Sequence, residues 1–318
     1  MKIPSKINLA FLPTPIQEIS YRGSKFLIKR DDLSGFELSG NKVRKLEYIL
    51  AQAKREKADI IFTCGGEQSN HARATAIAAA NLGLKCKLFL WDRNRTSAEG
   101  NLFLDKLSGC DILFLNKKEY SRVNEIMFEE RKKLLKKGKI VYVVPEGGST
   151  TLGIWGYISF MEELSRQIDL KKMGGILIAA GSGGTAAGLM LGSSLLKLNL
   201  KIYAVNVFYS EGVIRNKITQ LAEAGNLDYK LGLKVNNDNL VILGGYSDEG
   251  YKNISSDKVR VIKSLFRKTG ILLDPTYTGK AFAAFHDNFL GKRREKVLFV
   301  HTGGFFGIYA KRKKYLTS

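Results

Sequence analysis

The stretch Gly175-Ile176-Leu177-Ile178-Ala179-Ala180-Gly181-Ser182-Gly183-Gly184-Thr185 decides the fold class. An uninterrupted apolar run ends in a glycine turn, and an apolar helical pattern over Thr185–Lys197 follows. A strand that is apolar at every position has both faces covered, which is the mark of a parallel sheet between helices. Backbone N–H groups in such a turn point outward, and the helix dipole adds positive potential, so phosphate is its natural ligand. The residues also satisfy a loose G-x-G-x-x-A dinucleotide pattern through Gly181, Gly183 and Ala186. The next strand ends in Asn206 and offers no acid for a ribose, so a monophosphate fits better.

The same alternation runs through the chain. Further strands are expected at Phe26–Ile28, Asp59–Thr63, Lys85–Trp91, Asp111–Leu115, Ile140–Val144, Lys201–Val207 and Lys296–His301. Helices are expected at Lys42–Glu56, Asn70–Leu82, Ala98–Ser108, Glu119–Lys137, Gly153–Ile168, Ser256–Thr269 and Gly279–Asn288. The pattern predicts an α/β protein with two open, mainly parallel twisted sheets and helices on both faces. Residues 51–147 are expected to form a small α/β domain. Residues 1–50 and 148–318 are expected to form a large one, with the strand at Phe26–Ile28 joining its sheet. Ligands in such sheets bind beyond the carboxyl ends of the strands.

Composition sets the outer limits. The 318 residues are 44% hydrophobic and 25% charged, as in an ordinary globular protein. The net charge of +21 raises a nucleic acid or an anionic surface as a partner. The cations are dispersed, however, and the run Arg131–Lys137 and the cluster Lys311–Lys314 carry no interleaved aromatics, so a solvated basic surface is expected. Cys64, Cys86 and Cys110 sit in or beside apolar segments, which points to reduced thiols and a cytoplasmic protein. No leader-like apolar run occupies Met1–Phe11, and no run reaches membrane-spanning length. The three histidines, His71, His286 and His301, lack ligand spacing, and no metal is expected.

Chemistry concentrates in four further segments. In Ser39-Gly40-Asn41-Lys42 a lysine follows a turn at the start of an amphipathic helix, where polar neighbours can tune it into a nucleophile. Gly65-Gly66-Glu67-Gln68-Ser69-Asn70-His71 also follows a strand and opens a helix. Ser69 or Asn70 is its expected cap, and free N–H groups there suit a carboxylate. Glu67 and His71 raise acid–base chemistry, though a lone histidine at a helix start is more often structural. Asp274-Pro275-Thr276-Tyr277-Thr278-Gly279-Lys280 turns into a helix and can present the Tyr277 hydroxyl to a cleft. His301-Thr302-Gly303-Gly304 places small polar residues after an apolar strand.

Together with Leu12-Pro13-Thr14-Pro15 and Lys29-Arg30-Asp31-Asp32, these motifs resemble the fold type II pyridoxal-phosphate enzymes. The branch they are most similar to is that of D-cysteine desulfhydrase and 1-aminocyclopropane-1-carboxylate (ACC) deaminase. The resemblance spans nearly the whole chain. It implies a tryptophan synthase beta-like fold with the cofactor between the domains, and a homodimer. It implies that Lys42 carries pyridoxal phosphate as a Schiff base, with Asn41 beside it. Asn70 would bond the cofactor's phenolic oxygen, the loop Gly181, Ser182, Gly183, Gly184 and Thr185 would hold its phosphate, and Thr302 would face its ring nitrogen. Ser69, Tyr277 and Tyr251 would take part in catalysis. Gln68, Ser69, Asn70, Tyr277 and Thr278 would meet a small amino-acid substrate. The family's second tyrosine lies in a Gly-Tyr-Gly context. Here Tyr251 is followed by Lys252, and Tyr246 competes for the position.

The resemblance also bears on the substrate. The deaminase branch has Glu after the substrate-facing tyrosine and Leu after the histidine of the last strand, where this chain has Thr278 and Thr302. Both departures look like the desulfhydrase branch. The expected activity is α,β-elimination of D-cysteine or a related D-amino acid, with ACC deamination as the alternative. The alternative of another class is a basic nucleic-acid or anionic-surface binder.

Overall fold

The computed structural model describes residues 3–92, 98–292 and 295–316. Its strands are β1 Ile16–Tyr21, β2 Ser24–Lys29, β3 Ile60–Gly66, β4 Lys85–Trp91, β5 Asp111–Leu115, β6 Val141–Val144, β7 Gly175–Ala180, β8 Lys201–Asn206, β9 Leu240–Leu243 and β10 Val297–Val300. Its helices are α1 Asn41–Arg55, α2 Asn70–Asn81, α3 Gly100–Leu107, α4 Lys117–Tyr120, α5 Val123–Leu135, α6 Trp155–Gln167, α7 Gly184–Leu195, α8 Glu211–Asp228, α9 Ser256–Thr269, α10 Thr278–Asn288, α11 Phe305–Tyr309 and α12 Arg312–Leu316.

The strands form a six-stranded sheet, β1-β2-β10-β7-β8-β9, and a four-stranded sheet, β5-β4-β3-β6. The smaller sheet is parallel throughout, and the larger is parallel except for the β1–β2 hairpin. The period of two along a strand sorts the large core. Ile176, Ile178 and Ala180 of β7 pack toward one cluster with α6 and α7, while Leu177 and Ala179 pack toward the other with α9 and α10. The smaller sheet divides likewise, Ile61 and Leu88 on one side, Phe62 and Phe89 on the other. The strand expected at Phe26–Ile28 joins the larger sheet as β2, beside β10.

Several details differ from expectation. β3 runs on through Gly65 and Gly66, which pair with Leu90 and Trp91 instead of opening a loop. The Trp91 indole covers Gly66, where an added Cβ would lie 3.0 Å from Nε1. The helix expected over Glu119–Lys137 is two, because Asn116 and Glu119 close a capping box that makes α4 a separate turn. β1, β9 and α8 emerge from half-exposed segments whose apolar pattern is weak.

The Lys29-Arg30-Asp31-Asp32 segment does not reach the cavity described below. Asp31 is fully buried and accepts hydrogen bonds from Arg44 (2.8 and 3.0 Å), Tyr157 (2.6 Å) and Thr14 (2.9 Å). Arg44 also reaches Glu163 (2.8 Å), which pairs with Lys29 (2.5 Å). This network locks the start of α1 onto β2 and α6.

Candidate active site

A cavity opens beyond the carboxyl ends of β3, β7 and β10, lined by Asn41, Lys42, Asn70, the Ala179–Gly183 segment, Thr185, Ala186, Tyr277, Thr302 and Gly303. Most residues expected at a site therefore meet in one place. Lys42 is the only charged side chain among the described residues that line it.

The turn before Lys42 is held from several sides. Gly40 has φ +106 and packs against Thr302, and Asn41 N–H donates to the Thr302 carbonyl at 3.1 Å. Ser34 Oγ accepts from Gly40 N–H at 3.0 Å, and Arg73 donates to the Ser39 carbonyl at 3.0 Å. Asn41 Nδ2 donates to Thr185 Oγ1 at 3.0 Å, tying this turn to the glycine loop.

The electrostatics weaken the charged form of the Lys42 amine. Loss of water around Lys42 lowers its pKa from 10.5 to about 8, against the pull of the Glu146 carboxylate. Lys45, one turn on, is buried and donates to the Gly147 carbonyl at 3.2 Å. Desolvation, then the charge of Lys42, pushes Lys45 well below the ordinary lysine range. Desolvation also pushes buried His71 far down. Thr63 donates to the Val144 carbonyl, so it accepts from His71 Nε2 at 2.8 Å. His71 is thus a neutral structural residue.

The glycine loop forms a cradle. Gly183 has φ +88, and a Cβ on Gly184 would lie 2.5 Å from Ser149 Oγ and 2.8 Å from Lys45 Nζ. Ser149 Oγ accepts from Gly184 N–H (3.2 Å) and shares a 2.8 Å hydrogen bond with Ser182. The ring of Tyr277 flanks Gly181, whose Cβ would lie 3.2 Å from it.

Tyr277 is set by its own turn. Asp274 accepts from the N–H groups of Thr276, Tyr277 and Thr278 at 2.9, 3.0 and 2.7 Å. The Tyr251 and Tyr277 hydroxyls are hydrogen-bonded to each other, whereas Tyr246 accepts from Asn288 at 2.9 Å. Tyr251 is therefore the tyrosine that meets Tyr277. Desolvation raises both phenols above their ordinary range.

Two expected residues are occupied elsewhere, and a third in part. Thr278 is fully buried and donates to Asp274 Oδ1 at 2.7 Å, so its hydroxyl does not line the cavity. Gln68 holds the entry to α3, donating to the Glu99 carbonyl (2.9 Å) and accepting from Asn101 N–H (3.0 Å). Ser69 Oγ caps α2 by accepting from Ala72 N–H at 3.1 Å, which leaves its O–H as a donor.

Other residues at the site were not anticipated. Asn101 donates to Asn70 Oδ1 at 3.0 Å, leaving the Asn70 N–H groups for a ligand. Glu146 lies in an adjoining pocket with Ser149 and Ser182, Tyr120 donates to it at 3.3 Å, and desolvation raises its pKa. The signal for this second loop was present, since Glu146-Gly147-Gly148-Ser149 follows a strand as the other loops do.

Comparisons with known proteins place the chain in a family. Residues 7–303 match the PALP family, described as "Pyridoxal-phosphate dependent enzyme". The chain is 40% identical to the "Putative 1-aminocyclopropane-1-carboxylate deaminase" of Thermotoga maritima, over 97% of this chain and 99% of that protein. It is 37% identical to the "Bifunctional D-cysteine desulfhydrase/1-aminocyclopropane-1-carboxylate deaminase, mitochondrial" of Arabidopsis thaliana, over 96% of this chain and 79% of that one. Its structure is similar to a crystal structure of an ACC deaminase homologue, with a TM-score of 0.88, 35% identity and coverage of 99% and 96%. The chain belongs to the PALP family of pyridoxal-phosphate-dependent enzymes, in the group that holds ACC deaminases and D-cysteine desulfhydrases.

Proposed function

We propose that this enzyme is a lyase that carries out α,β-elimination on D-cysteine or a related D-amino acid. D-Cysteine and water would give pyruvate, ammonia and hydrogen sulfide. The observation that carries this reading is the neutral lining of the cavity. Apart from Lys42 the lining is uncharged, and it includes Thr302, the residue that the family resemblance puts at the cofactor's ring nitrogen. A hydroxyl leaves that nitrogen largely neutral, which suits loss of a good leaving group such as a thiol.

The donor set fits the cofactor. The cradle at Gly181–Thr185 offers helix-terminal N–H groups to a phosphate, with Gly183 in a left-handed conformation. Lys42 faces the same cavity as the amine for the aldehyde, and Asn70 has free amide donors for the phenolic oxygen. When bound, pyridoxal phosphate supplies an electron sink for charge developing at the substrate Cα.

The chain's own residues do the rest. Lys42 Nζ, with its pKa near 8, accepts the α-proton. The start of α2, with Ser69 and Asn70, orients the substrate carboxylate. Tyr251 and Tyr277 stay protonated, and one hydroxyl proton is used between them. The other is available to the departing sulfur.

The second reading, ACC deamination, is favoured by the name of the Thermotoga maritima relative. One assay separates the two. Pyruvate and sulfide from D-cysteine, absent in Lys42→Ala, support the lyase. Conversion of ACC to 2-oxobutanoate with no sulfide from D-cysteine would replace it with the deaminase.

A further inference from the structure

We propose that Lys252 is a positioning residue that ties the loop carrying Tyr251 to the smaller sheet across the cleft, and so sets where the Tyr251 phenol sits. The inference rests on the proposed catalytic role of Tyr251.

The residue before Tyr251 and the one after it are both anchored. Lys280, fully buried on α10, donates to the Gly250 carbonyl at 2.8 Å, and Lys311 donates to the Lys252 carbonyl at 2.9 Å. Glu249 pairs with Lys258 at 2.8 Å. The Lys280 and Lys258 contacts join the loop to α10 and α9 on the larger sheet, and the Lys311 contact joins it to the turn between α11 and α12. The Lys252 side chain points the other way. Its ammonium lies 3.7 Å from the centre of the Trp91 ring and pairs with Asp92. Trp91 ends β4 in the smaller sheet, where its indole covers Gly66.

The partners are fixed, which makes the contact informative. Asp92 is held at φ +147, a conformation costly for a residue with a Cβ. Its N–H donates to the Leu115 carbonyl at 3.3 Å, so β5 holds it in place. A cation over an indole and beside a carboxylate is favoured both by the ring quadrupole and by charge. On the other side, the Tyr251 ring stands edge-on between Phe208 (4.9 Å) and Tyr277 (5.8 Å), with its hydroxyl bonded to Tyr277. Movement of Lys252 away from Trp91 would turn the adjoining phenol away from the cavity. Lys252 is also the residue that breaks the Gly-Tyr-Gly pattern, so the cross-bridge exists here because a side chain stands at that position.

The test uses the holoenzyme and the variants K252M, K252R, D92N, Y251F and K252M/Y251F. Steady-state kinetics with D-cysteine are combined with acrylamide quenching of tryptophan emission, using W91F to identify the Trp91 share. K252M and D92N are expected to lower kcat about tenfold with KM nearly constant and to expose Trp91 to quencher, while K252R restores both. The double variant is expected to be no slower than Y251F, because both changes act through one phenol. Unchanged kcat and quenching in K252M, or independent multiplication of the two losses, would overturn the proposal while Y251F remains impaired. Full activity in Y251F would instead overturn the role of Tyr251 on which the proposal rests.

Discussion

Gly40 lies so close to the Thr302 carbonyl that a Cβ there would sit 2.6 Å from that oxygen. The turn that presents Lys42 is thus shaped by the far end of the chain. Gly40→Ala combines a positive φ with a clash against backbone that cannot rotate away. We expect it to cost about 2–4 kcal/mol and to weaken cofactor retention. Urea unfolding and visible absorbance check this, and a variant as stable and as coloured as the parent would contradict it.

The paired phenols make distinct claims for the tyrosines. Y277F and Y251F are each expected to lower kcat by about ten- to a hundredfold, since each breaks the hydroxyl pair that Tyr277 brings to the cavity. Y246F loses hydrogen bonds to Asn288 and Asp287 on α10, each worth about 1 kcal/mol, and kcat should stay within about twofold. Kinetics of the three variants decide the assignment, which fails if Y246F is the most impaired.

The depressed pKa of Lys42 has a stability consequence in the apoenzyme. Its folded value of about 8 lies below 10.5, so the unfolded chain binds more protons between those limits. The penalty for burying the ammonium is full below pH 8 and is relieved as pH rises toward 10.5. Lys42→Met removes the buried charge and should stabilise the apoenzyme at pH 7 by about 2 kcal/mol, an advantage that shrinks toward pH 10. Lys280, also lowered to about 8 by desolvation, shares that window, so the difference between parent and variant is the quantity to follow. A variant less stable than the parent at pH 7 would count against a desolvated lysine.

Asp31 and Arg44 give a structural control. Asp31→Ala leaves a buried guanidinium without its main partner and should cost about 3–5 kcal/mol by chemical denaturation. A cost below about 1 kcal/mol would show that the network does not hold α1.

What could be seen in the sequence follows from the range of each interaction. Lys42, the Gly181–Thr185 loop and Tyr277 were legible because each stands at a turn between a strand and a helix, a local pattern. Their meeting at the carboxyl ends of β3, β7 and β10 followed from the α/β rule. The duties of Gln68 and Thr278 were not legible, since Asn101 and Asp274 claim them through folded geometry that residue type does not reveal. The part played by the Glu146–Ser149 loop was not legible because it carries few groups with obvious chemistry, although Ser149 bonds to Ser182 and Gly184 of the cradle. Helix α8 was not legible because few of its residues are buried, Ile214, Ile218, Ala222 and Gly225.

The central claim is that Lys42 holds the cofactor, and borohydride reduction followed by peptide mapping tests it most directly. Lys45 and Lys280 also have lowered pKa values, so the experiment has real competitors. Trypsin cleaves after Arg44 and separates Lys42 from Lys45. The expected result is a pyridoxyl label on Lys42 and none in Lys42→Ala. A label on Lys45 or Lys280, or no label on a reconstituted enzyme, would contradict the account.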